Sequence, residues 1–172
     1  MNLLCTIVLA VSLVTVPALA RADSLDDARR LLAAGQPRVA VEMLDRALAA
    51  RPKDAELRFL RGVALTDLGQ NERAGAVFAE LNQEYPELPD PLNNLAVLHA
   101  ARGELDRARE LLEAALRLHP RHAAARENLG DVYVRLAMTH WQSVAGQTRP
   151  DPTLARKLEL ARQLLDAMPP RP

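Results

Sequence analysis

The stretch GELDRARELLEAALRLHP, residues 103–120, carries Gly103, Ala108, Ala115 and Pro120 at intervals that recur earlier in the chain. The same skeleton is Gly35, Ala40, Ala47 and Pro52, and then Gly69, Ala74, Leu81 and Pro86, each set displaced by thirty-four residues from the last. Only Leu81 departs from the small-residue rule. A period of that length, with two helical apolar patterns per unit split by a glycine, predicts an array of helical hairpins. Leu92, Leu95 and Leu98 share one face of a first helix, Gly103 ends it in a left-handed turn, and Leu105, Ala108, Leu112, Ala115 and Leu116 form one face of a second. Pro120 stops that second helix. Ala40, Ala74 and Ala108 then sit where paired helices cross, Ala47 and Ala115 lie two turns on, where the next unit docks, and Leu44, Phe78 and Leu112 fill the space between these alanines.

Composition agrees. Alanine, leucine, arginine and glutamate dominate, and all favour helix. The formal charge is zero and aromatic residues make up 3% of the chain. That balance excludes the basic surplus of a nucleic-acid binder and an aromatic-lined cofactor pocket. No nucleophile–base arrangement, phosphate loop or carboxylate pair is present, so no enzyme, no cofactor and no small-molecule substrate are expected.

The first segment differs. MNLLCTIVLAVSLVTVPALARA, residues 1–22, is apolar until Arg21, and Pro17 precedes two Ala-x-Ala sites. It reads as a secretory leader cut after Ala22, which predicts an exported, periplasmic protein, or one anchored facing the periplasm if the leader stays. Cleavage removes Cys5, the only cysteine, and with it any disulfide.

The units open at 21, 55, 89 and 123. Ser24-Leu25-Asp26-Asp27 predicts a capping box for the first helix, Asp54 caps the third, Asn71 stands before the fourth, and Asp90-Pro91 opens the fifth. The fourth unit lacks a turn glycine, and Gln142 replaces the crossing alanine. One helix from about 123 to 145 is therefore expected. The turn GQTRPDP follows, then a last helix near 153–167 and a disordered tail at 169–172.

NLAVLHAARGELDRARELLEAALRLHP and NLGDVYVRLA, residues 94–120 and 128–137, resemble the tetratricopeptide repeat in their asparagine–leucine–small opening, turn glycine, alanines and closing proline. The resemblance implies an all-α fold, a right-handed superhelical stack of antiparallel helix pairs. Its repeats would be 23–54, 55–88 and 89–122, with a degenerate fourth at 123–146 and a capping helix at 147–168. It further implies a concave surface, lined by first helices, that holds an extended peptide or a helix of another protein. On that surface Asn94 and Asn128 are equivalent and offer amides to a peptide backbone. Phe59, Val63, Val97 and Val134 give it an apolar stripe, with Asp131 and Arg135 beside it. Arg58 and Arg126 are equivalent, but they match the family's carboxylate clamp poorly. His119 and His122 have metal-like spacing without a third ligand, and His99 and Trp141 are read as packed. The resulting expectation is a binding module of the bacterial envelope. The alternative is a structural subunit docking through its convex face or terminal helix. Oligomeric state and the identity of the partner stay open.

Overall fold

The computed structural model describes residues 16–147 and 151–167, with side chains from Ser24 onward. The described chain is all helix: α1 Val16–Ala33, α2 Pro37–Ala50, α3 Ala55–Asp67, α4 Asn71–Glu84, α5 Pro89–Ala101, α6 Leu105–Leu118, α7 Ala123–Gln147 and α8 Pro152–Asp166. Each helix packs on the next, and the odd-numbered helices also lie side by side, α1 on α3 and α5 on α7. This is a stack of antiparallel pairs, with its core divided among three clusters between successive pairs.

The turns show why the glycines recur. Gly35, Gly69 and Gly103 have φ of +66°, +70° and +79°, a region that a side chain rarely enters. Each ends its helix with the same two bonds. The Gln36 N–H reaches the Leu31 carbonyl and the Gly35 N–H the Leu32 carbonyl, both at 2.9 Å. Gln70 and Gly69 repeat this with Leu65 and Thr66, and Glu104 and Gly103 with His99 and Ala100. These are Schellman turns, and they fold the second helix back across three residues.

The alanines do what their spacing predicts. Ala40, Ala74 and Ala108 are fully buried, as are Leu44 and Phe78, and Leu112 nearly so. Across the pair, the first helix presents Ala28, Gly62 and Ala96, again thirty-four residues apart and buried. Glycine is required at position 62, because a Cβ there would sit 2.5 Å from the Phe78 ring. Leucine in the second helix goes with alanine in the first, and phenylalanine with glycine.

The helix starts require three corrections. Ser24 through Asp27 lie within α1, which begins at Val16, so they form no capping box. No proline or glycine between Ala18 and Ala34 interrupts that helix. Asp90 is not a cap either: α5 starts at Pro89, whose fixed φ suits the first helical position, and Leu88 is its N-cap. Asn71 is the first residue of α4 rather than its cap, a place taken by Gln70. Asp54 does cap α3, accepting the Leu57 N–H at 3.3 Å. On the exposed faces Asp26 pairs with Arg29 and Asp27 with Arg30 at three-residue spacing, and Arg109 lies 3.9 Å from Glu113 at four-residue spacing.

The fourth unit follows its altered sequence. α7 runs without a turn past the point where earlier units fold back, and α8 packs on it with Leu158 and Ala161 buried. Asp151 caps α8 through the Leu154 N–H at 2.7 Å. Lys157 lies over Trp141, 5.7 Å from the ring centre, so Trp141 is half-buried under the last helix. Among the described residues, no helix is long and apolar enough to cross a membrane. Residues 1–15, most of the segment expected to be a leader, and the tail at 169–172 lie outside the described residues.

Candidate functional site

The odd-numbered helices carry every residue that the sequence assigns to the binding surface. On α3, Phe59 and Val63 are half-buried. The Phe59 ring is tilted 50° against Phe78 at a centroid distance of 5.7 Å, and it touches two of the core clusters. On α5, Val97 is half-buried, and on α7 so are Asp131, Val134 and Arg135. These residues keep partly solvated apolar surface on three neighbouring first helices, which is the form an extended docking face takes.

The asparagines are placed differently from one another. The Asn94 Nδ2 donates to the carbonyl of Asp90, one turn back on its own helix, at 2.9 Å. Asn128 is 8% exposed, and its Nδ2 donates at 2.8 Å to the Oδ1 of Asn93, also 8% exposed. Two amides expected to form a ladder for a guest thus serve the protein itself. One braces α5, and the other joins α5 to α7. Asn93 is the residue that the sequence reading missed. Contact between neighbouring units links positions thirty-five apart, not thirty-four, so aligning equivalent positions points to its neighbour Asn94. A buried amide pair of this kind fixes the register of two helices, since any slip leaves both amides unpaired.

Three arginines of the first helices are held by the protein itself. Arg58 is clamped by Glu84 at 2.8 and 3.0 Å and by Glu80 at 3.1 Å, both on α4. The hydrogen bonds from Arg58 hold the Glu84 carboxyl below the usual carboxylate range, and those bonds to Glu84 raise the guanidinium further. Arg29 pairs with Asp26 and with Glu56 of α3, while Arg126 donates to the carbonyl of Pro120. The carboxylate clamp that the sequence matched poorly is not assembled from Arg58 and Arg126.

The histidines find structural work. His122 stands at the N-cap position of α7, where its Nδ1 accepts the Ala125 N–H at 3.1 Å. That bond leaves Nε2 to carry the proton, which points to Asp90 Oδ1 at 3.1 Å. The His119 ring meets His122 edge-on at 6.0 Å, and no group of three or more metal-binding side chains occurs among the described residues. The His99 Nδ1 lies 2.5 Å from Glu104, tying the end of α5 to the start of α6. A second depression lies between α4 and α5. It is a cleft of about 460 Å³ over Gly75, Ala76 and Ala79, floored by Leu95 and Leu98.

Known proteins of the same architecture agree with this geometry. A thermophilic TPR protein of Thermus thermophilus, TTC0263, is similar at TM-score 0.64 and 21% identity, over 83% of this chain and 81% of that one. The first TPR domain of human RPAP3 is similar at TM-score 0.62 and 18% identity, covering 66% of this chain and 90% of that one. The second TPR domain of human RPAP3, solved with the HSP70 peptide SGPTIEEVD, is similar at TM-score 0.59 and 20% identity, over 68% and 98%. At these identities the likeness is one of fold. No curated protein matches the sequence. The family model described as tetratricopeptide repeat matches residues 25–89 and 93–136, more than half of the chain, and the chain belongs to the tetratricopeptide repeat family.

Proposed function

We propose that this protein is a non-enzymatic interaction module that holds an extended segment, or a helix, of another protein on the surface formed by α1, α3, α5 and α7. The observation that carries the reading is the half-buried apolar series Phe59, Val63, Val97 and Val134, spread over three adjacent first helices. Its side chains are partly packed and so pre-positioned, which lowers the entropic cost of receiving a guest. Support by analogy comes from the second RPAP3 domain, which carries a peptide. We place the module outside the cytoplasm, in the bacterial envelope, on the strength of the apolar leader and its Ala-x-Ala sites.

Photocrosslinking in cells tests this reading. A benzophenone amino acid at Val97 or Val63 should give adducts with a partner, and one at Val144, which is 50% exposed near the end of α7, should not. Adducts from Val144 alone would overturn it. Such adducts would favour a structural subunit that docks through its end, where Leu160 and Leu164 of α8 are 47% and 49% exposed. N-terminal sequencing of the same material should begin at Asp23.

A further inference from the structure

Ala33, Asp67, Ala101 and Arg135 occupy one equivalent position in the four units, thirty-four residues apart. Asp67 is the final residue of α3, one turn beyond Val63 and two beyond Phe59, so the three follow one side of the helix. Its carboxylate has no hydrogen-bond or ion partner among the described residues. The equivalent residues on the flanking first helices, Ala33 and Ala101, are alanines and supply none.

Two effects make this an unfavourable place for a lone carboxylate. The C-terminus of α3 is the negative end of the helix dipole, and an anion there opposes it. Partial burial also desolvates the group: the residue is exposed to water, yet its carboxyl is pushed above the usual range. Arg29 and Arg58 give no relief, because they lie at the other end of α3 and are committed to glutamates there. A cation from outside would remove both costs together.

We propose that Asp67 is the charge-reading residue of the groove, and that the bound segment presents a lysine or arginine to it, with apolar side chains on Phe59, Val63 and Val97. This polarity is the reverse of what an acidic tail such as SGPTIEEVD would need. The assignment rests on the concave surface being the binding face, and the experiment separates the two.

The probe is an array of immobilised nonapeptides, alternately leucine-rich and randomised, with a fixed central lysine, arginine, alanine or glutamate. The purified chain is applied as wild type, Asp67→Asn and Val97→Glu. Wild type should be retained on the lysine and arginine pools, and Asp67→Asn should lose about tenfold there, as expected for one charge-assisted contact. Val97→Glu should lose retention on every pool. Asp67→Asn should also melt at a higher temperature than wild type at pH 7, because relief of an unpaired charge stabilises the free protein. A lower melting temperature would make Asp67 structural and sink the assignment. So would retention indifferent to the central residue, or none on any pool. If Val97→Glu binds as wild type does, the groove reading itself falls.

Discussion

Packing in the first and second helices of each unit is set by pairs of residues rather than by single positions. Ala28 goes with Leu44, Gly62 with Phe78 and Ala96 with Leu112, so the sum of the two side chains is nearly conserved while each member varies. In the fourth unit Gly130 faces open space, because no hairpin partner returns to fill it. Replacement of Gly62 by alanine tests the pairing. Helix propensity alone would favour the change by about 1 kcal/mol. The new methyl would nonetheless meet a fully buried ring, and overpacking of that kind costs ~1–3 kcal/mol. Gly62→Ala should therefore destabilise in urea denaturation, and adding Phe78→Leu, which recreates the Ala96–Leu112 combination, should recover most of the loss. Equal stability of the single and double variants would show that the ring moves aside. The crossing alanines and turn glycines were legible in the sequence because each answers to a local rule with one solution. Asn93 was not, because its partner is chosen by the offset between two packed helices, which the repeat itself does not encode.

At the level of the element, the start of each first helix is built from whatever the unit offers. Asp54 caps α3 through its own carboxylate, Leu88 gives α5 no side-chain cap, and His122 caps α7 with a neutral imidazole. The last of these does more than end a helix, since the other nitrogen bridges to Asp90 on α5. His122→Ala should cost ~1 kcal/mol, the usual value of an N-cap, and should speed hydrogen exchange at Ala125. His122→Asn keeps an acceptor for the cap and should recover part of that protection. The helix starts were also where the sequence reading erred most, at Ser24 and at Asp90. Cap residues also occur inside helices, and only the path of the chain distinguishes the two uses. The pair Arg58–Glu84 adds a pH response to the joint of α3 and α4. The Glu84 carboxyl is held below its unfolded value, so its contribution is present above the unfolded pKa and disappears as pH falls through the lower, folded one. Asp67 has the opposite sign: burial raises it, so its ionisation weakens the fold as pH rises from the unfolded to the folded value. Thermal melts from pH 7 to pH 3 should show Arg58→Met losing the part of the acid sensitivity that Glu84 supplies. An unchanged profile would assign that sensitivity elsewhere.

Across the whole molecule, contacts run mainly between nearest neighbours, so stability is the sum of local terms and their interfaces. The same change then has different consequences at the centre and at the end. α8 closes the array by burying Leu158 and Ala161 against α7, while its own outer face keeps Leu160 and Leu164 half exposed. Ending the chain after Gly146 removes that cover and leaves α7 with one packed side. The shortened protein should keep the hydrogen-exchange protection of α3 to α6, whose main packing partners do not include α8, and should lose it along the second half of α7. If instead all helices melt together, the array is a single cooperative unit, and the nearest-neighbour account is wrong. The same truncation separates the two ways in which the molecule could serve a partner. Capture on the surface formed by Phe59, Val63 and Val97 draws on α3 and α5, which the cut leaves intact, so binding there should survive it. Docking through the terminal helix would vanish with α8, and that loss, with α3 to α6 still protected, would move the site to the end of the stack.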